Sequence, residues 1–279
     1  MSRLGIIAGS GDLPRAVAQS ARESGRDVFI VSLTGSKDDW TADYLHEDVS
    51  LGEMGKALRA LSANDCKDVI FAGRVGRPRF SELRLDTKGA FVVPRLAAAA
   101  LKGDDALLRA VVEIFEKDGH RVLSIAEAAP SLIVREGQVG KFAPSADALA
   151  DIAKGFVVVA RMGELDIGQA AVICEGLVLA VEAAEGTDAM LLRIADLPDR
   201  LRGKPSKPRG VVVKAPKPIQ DGKTDLPVIG VQTVQNAQAA GLRGIALAAD
   251  GALIVDRARV VAAADAAGLF VIGIHPAKS

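Results

Sequence analysis

The chain has 279 residues, 49% hydrophobic but only 4% aromatic, with Lys+Arg and Asp+Glu balanced at 35 each. That length buries a large core yet lies near the size at which one core divides into two. The charge balance argues against a general nucleic-acid binder, whose footprint is a basic excess, and no apolar stretch approaches the ~20 residues of a membrane span.

Small aliphatic residues do the packing, which fits a parallel α/β protein whose strands are covered on both faces. No N-terminal signal pattern is visible. Cys66 and Cys174 lie far apart in apolar sequence and read as reduced core residues of a cytoplasmic protein.

In chain order, Leu4–Ala8 reads as a strand, Leu13–Ser24 as a helix stopped by Gly25, and Asp27–Leu33 as a second strand. Gly52–Ala63 is a predicted helix, Val69–Ala72 a strand, residues 104–118 a helix and Arg121–Ile125 a strand. This alternation predicts a doubly wound, Rossmann-like N-terminal domain over 1–134. Residues 135–150, with scattered Gly and Pro, are the expected linker to a mixed-sheet α/β domain over 151–279. There Ala171–Cys174 and Leu177–Glu182 predict two strands joined by a tight glycine turn. A helix over Thr187–Ala195, a strand over Val211–Val213 and two further helix–strand units to Ile274 complete the domain.

The richest chemistry follows the Val211–Val213 strand. A loop there carries Lys214, Lys217, Gln220, Asp221, Lys223 and Asp225. Lysines give point charge to phosphate oxygens and aspartates give hard oxygen ligands to a divalent cation. A solvated polar loop is the alternative. Glu182, Glu185 and Asp188 add carboxylates between a predicted strand and helix, and on one sheet edge with Asp221 and Asp225 they would make an oxygen-only Mg2+ site. Thr187 or Asp188 would otherwise cap the helix. Asp104 and Asp105, at the start of a predicted helix, are lesser metal candidates, since the helix dipole alone favours acids there.

Near the N-terminus, Gly9-Ser10-Gly11-Asp12-Leu13 follows a strand and opens a helix, a place where free amides attract an anion. Ser10 or Asp12 would instead cap that helix. The third glycine of a dinucleotide fingerprint is missing, and no acid follows the second strand to hold an NAD ribose. Arg74 and Arg77 flank the end of the third strand, where a diphosphate would bind. The three histidines and two cysteines have no zinc spacing, and no phosphate-loop or serine-nucleophile motif is present.

GIIAGSGDLP, GDDALLRAV, GQAAVICEGLVLAVEAAEGTDAML and VKAPKPIQDGKTDLPVIG, in that order, resemble the LpxI-type UDP-2,3-diacylglucosamine pyrophosphatases of lipid A biosynthesis over essentially the whole chain. Lys223 stands where the pattern leads one to expect Arg, which keeps the charge but loses the guanidinium fork.

The resemblance implies Mg2+-dependent hydrolysis (Mn2+ as substitute) of UDP-2,3-diacylglucosamine to 2,3-diacylglucosamine 1-phosphate and UMP, in a cleft between two domains. It further implies Asp225 as the first catalytic carboxylate, and Lys214 and Lys217 as neutralisers of phosphate charge. Asp221, Asp188 and Glu185 would complete the metal shell with Asp225. Substrate contacts would come from Gly9 to Leu13, Arg74, Arg77, Gln169, Thr187 and Gln220. The acyl chains need an apolar surface, either Phe91–Leu101 or the cleft wall, although a core helix also explains that segment. The expected setting is cytoplasmic, peripheral on the inner-membrane surface, without nucleic acid, and compatible with a homo-oligomer. The rival readings are an NAD(P)-binding oxidoreductase and a non-catalytic nucleotide-sugar binding protein.

Overall fold

The computed structural model describes residues 2–33, 39–76, 79–80, 83–217 and 226–276. The chain divides into two compact units, Met1–Ser131 and Leu132–Ser279.

The first unit alternates β1 (Leu4–Ala8), α1 (Leu13–Glu23), β2 (Val28–Leu33), β3 (Leu45–Val49), α2 (Met54–Ala63) and β4 (Asp68–Ala72), then α3 (Thr87–Ala100), α4 (Asp104–Lys117), β5 (Arg121–Val122) and α5 (Ile125–Ala128). Its parallel sheet has the order β3-β2-β1-β4-β5. Every residue of β1 and β2 is buried, as expected of strands covered on both faces. Leu58 of α2, Leu96 of α3 and Ile114 of α4 pack with Phe29, Val31 and Val69 in one core, while α1 packs on β1 and α5.

The order reverses between β1 and β4, so the carboxyl ends of those two strands flank the crevice where ligands of such sheets bind. Strand β3 (LHEDV), not anticipated from sequence, is a half-exposed edge with charged side chains; α3, with Gly89 and Pro94 within its length, takes up the segment for which a core helix was one of the readings. The strand expected at Arg121–Ile125 ends at Val122, because Ser124 and Glu127 form a capping box that starts α5.

The second unit contains β6 (Gly137–Gln138), α6 (Ala146–Glu164), β7 (Ala170–Cys174), β8 (Leu177–Val181), α7 (Gly186–Ala195), β9 (Val211–Lys214), β10 (Val228–Ile229), α8 (Val231–Ala239), β11 (Gly244–Ala248), β12 (Leu253–Ile254), α9 (Arg257–Ala267) and β13 (Phe270–Ile274). Its main sheet has the order β6-β13-β11-β9-β7-β8, with β13, β11 and β9 parallel and the outer strands antiparallel to their neighbours. β10 and β12 form a small parallel pair.

One face packs under α7, α8 and α9 through Met190, Leu191, Val234 and Val260. The other packs under α6 through Phe156 and Val159. Gly155 lets α6 approach β9, since a Cβ there would lie 2.4 Å from Val213 Cγ2.

Residues 135–150, expected as a linker, lie inside this second unit. Gly137 belongs to β6, which pairs with β13, and Ser145 caps α6 by accepting from Ala148 N.

Candidate active site

In the first unit, β1 runs into Gly9-Ser10-Gly11 and β4 into Gly73-Arg74, and the two segments are stitched together. Ser10 N donates to Arg74 O (2.8 Å), and Arg74 N donates to Ser10 O (2.9 Å). The Ser10 hydroxyl also donates to Arg74 O (3.1 Å). Gly9 is required here, because a Cβ would lie 2.5 Å from Arg74 O; Gly73 is held at φ +89° with Pro14 Cγ 2.8 Å from where its Cβ would be. Asp12 occupies the N-cap of α1 with φ −78° and its side chain caps nothing. Neither Ser10 nor Asp12 therefore caps the helix, and the amides of its first turn are left for another acceptor. Arg74 is exposed at the same edge; Arg77 lies outside the described residues.

In the second unit, β9 and β8 run one way and β7 the other, so the end of β9, the start of β7 and the end of β8 share one edge. Ala170 pairs with Lys214, and Glu182 N donates to Ala170 O (2.8 Å). Paired residues on neighbouring strands point to the same face, which puts Lys214 and Glu182 on the α7 side. Lys214 is 3% exposed; its ammonium donates to Thr187 Oγ1 (2.7 Å) and to Val228 O (3.1 Å). Thr187 lies in the first turn of α7, whose N-cap, Glu185, makes no capping bond.

A buried cation beside an uncapped helix N-terminus is an anion-attracting arrangement. Lys217 pairs with Asp166 at 2.7 Å. Asp188 Oδ1 accepts from Asn236 (3.1 Å), which in turn accepts from Gln232 (2.9 Å), whereas Glu185 is held in an ion pair by Arg193.

Gln169 O accepts from Ala215 N at the same edge (3.1 Å). Its side-chain Oε1 and Oε2 of Glu182, which is 7% exposed, have no hydrogen-bond partner among the described residues. An unpaired buried carboxylate oxygen is costly, and it is the kind of hard donor that a divalent cation takes. Among the described residues no group of three His, Cys, Asp or Glu side chains converges. Asp225, Asp221 and Gln220 lie outside the described residues, as do the side chains of Asp104 and Asp105.

The structure thus gathers Lys214, Thr187, Asp188 and Gln169 around one sheet edge. It adds Asn236, whose signal in the sequence is a polar pair, Gln232 and Asn236, four apart on α8. Of the segment suspected for acyl chains, Val93, Leu96 and Ala100 face the core, while Phe91 is 80% and Leu101 89% exposed.

These features define a two-unit α/β protein with anion-attracting groups at the carboxyl edges of both sheets. Residues 3–132 match the family model described as the LpxI N-terminal domain, and residues 135–272 that of the LpxI C-terminal domain. The chain is 49% identical over 276 residues, 99% of each chain, to a protein of Caulobacter vibrioides named UDP-2,3-diacylglucosamine pyrophosphatase LpxI. The protein belongs to the LpxI family.

Proposed function

We propose that this protein is a hydrolase that cleaves the diphosphate of UDP-2,3-diacylglucosamine, giving 2,3-diacylglucosamine 1-phosphate and UMP, with Mg2+ as cofactor. The observation that carries the reading is the 49% identity to a relative of that name across 99% of the chain. The sheet-edge geometry supports it with phosphate-binding groups that are held in place before a ligand arrives.

Lys214, fixed by Thr187 and the Val228 carbonyl, neutralises charge that builds on a phosphate oxygen during P–O cleavage. Lys217 exchanges its pairing with exposed Asp166 for phosphate. The first-turn amides of α7 hold a second oxygen. Asp225, Asp221 and Asp188 are the proposed cation ligands, with Glu182 a further donor. When bound, the cation supplies Lewis-acid polarisation of the diphosphate and a lowered pKa for water. The Gly9–Leu13 turn, Arg74 and Arg77 take the uridine diphosphate end, and Gln169 and Gln220 contact the substrate.

No helix among the described residues is long and apolar enough to cross a membrane. The proposed setting is cytoplasmic, with a lipid substrate met at the inner-membrane surface.

Incubating the purified protein with UDP-2,3-diacylglucosamine and Mg2+ should release UMP, and chelation should stop it. Binding without UMP release would point instead to a non-catalytic nucleotide-sugar binder.

A further inference from the structure

We infer that Glu182 takes the proton from the water that attacks the diphosphate, an inference that deepens the function proposed above and rests on it. The sheet sets its position. Glu182, Ala170 and Lys214 stand in one row across β8, β7 and β9, because Glu182 N donates to Ala170 O and Ala170 pairs with Lys214. Two strand spacings separate the outer pair, so about 10 Å lies between their Cα atoms. From Glu182 the chain runs through Ala183, Ala184 and Glu185 into α7, and Thr187 in the first turn of that helix accepts from the Lys214 ammonium. The N-terminus of α7 is thus flanked by a buried cation on the β9 side and a buried carboxylate on the β8 side, 3% and 7% exposed.

A phosphoryl group held on the α7 amides has Lys214 at one flank to meet its charge. At the other flank stands a carboxylate with an oxygen to spare. The neighbouring acids are engaged: Asp166 pairs with Lys217, Glu185 pairs with Arg193, and Asp188 Oδ1 accepts from Asn236. Glu182 Oε2 is buried and has no hydrogen-bond partner among the described residues. Water is the partner that such an oxygen takes, and a general base needs an unoccupied oxygen within reach of the water it activates. A carboxylate has a second oxygen, so this role is compatible with the cation contact proposed above. In the step itself, the water oxygen bonds to one phosphorus and the bridging P–O bond breaks. The electron pair leaves with the departing phosphate, and one water proton passes to Glu182 Oε2, from which solvent later removes it.

The test is UMP release by Glu182→Gln and Glu182→Asp at saturating UDP-2,3-diacylglucosamine over a range of Mg2+, beside the calorimetric Kd for substrate without Mg2+. Glutamine keeps the shape and a neutral oxygen that a cation can still take, but its amide is no base. In Glu182→Gln kcat should fall by at least about 100-fold while Kd stays within about threefold, and raising Mg2+ should not restore it. Recovery of wild-type kcat at high Mg2+ would reduce Glu182 to a cation ligand and overturn the assignment, as would a loss below about tenfold.

Glu182→Asp retains a carboxylate one methylene further back and should keep more activity than Glu182→Gln; the reverse order would overturn the role. If glutamine is not accepted at this buried position, read from the urea midpoint, Glu182→Asp carries the test. Its kcat must then fall at saturating Mg2+ with Kd unchanged, and a wild-type kcat would overturn the role. Equal UMP release by wild type and Glu182→Gln would sink this role and leave the proposed reaction standing, whereas a wild type that releases none would sink both.

Discussion

At the residue scale the proposed chemistry rests on carboxylates and a buried lysine. Asp225→Ala should lower UMP release by at least about tenfold while substrate still binds, because deleting a cation ligand removes transition-state stabilisation. A smaller loss, measured by steady-state turnover beside calorimetric binding, would remove Asp225 from the site. Asp68 makes a separate, structural prediction. Arg121, by hydrogen bond (2.8 Å), and then Arg26 (2.5 Å) hold its carboxyl below the ordinary 3.8, against the opposing pull of burial. A depressed carboxylate contributes stability above the unfolded value and loses it as pH falls through the folded one. Asp68→Asn should therefore cost about 1–3 kcal/mol near neutrality, towards the low end because Arg121 is exposed, and nothing well below pH 3.8. Urea titrations at both pH values check this. Lys214 and the carboxylates of 182–188 were legible in the sequence because charge stands out against apolar strands. What was not legible was which carboxylate is already engaged: Glu185 is occupied by Arg193, and Glu182 is buried with an oxygen that has no partner among the described residues, a distinction that only three-dimensional neighbours make.

At the element scale, the hairpin between β7 and β8 turns through Glu175 and Gly176, at φ 50° and 77°, the left-handed pair that a two-residue hairpin needs. Asp151, buried within α6, accepts from both of their amides at 2.9 and 2.7 Å. It thereby ties the helix to the hairpin whose far ends carry Gln169 and Glu182. Asp151→Ala should cost about 1–2 kcal/mol, because two turn amides lose a charge-assisted acceptor and exchange it for water; an unchanged denaturation midpoint would contradict this. The buried strands and the glycine turn were readable from period and composition. The edge strand β3 was not, because one solvated face leaves it polar. Helix α6 was not read from the sequence at all, and the stretch before it, with Gly137, Gly140 and Pro144, resembles a linker. In the structure Gly137 belongs to the edge strand β6 and Ser145 caps the start of α6.

At the scale of the whole molecule, each unit has its own sheet and its own core. Two such units are expected to melt in separable transitions. In calorimetry Asp68→Asn should lower one transition and Asp151→Ala the other; both variants moving a single shared transition would show the units to be one cooperative body. The composition, small and aliphatic with balanced charge, announced this architecture. The N-terminal domain was read as 1–134 and the first compact unit ends at Ser131, with residues 135–150 inside the second unit.

The chain has only two cysteines, and one falls in each unit. Cys66 is 1% and Cys174 2% exposed. Burial pushes the Cys66 thiol up to about 11 and raises that of Cys174, so the reactive thiolate is withheld while the surrounding core is closed. An alkylating reagent can mark each sulfur only when its own half of the molecule breathes open. Peptide mapping of the two adducts over time would thus clock the two halves independently in the native protein, with no engineered label.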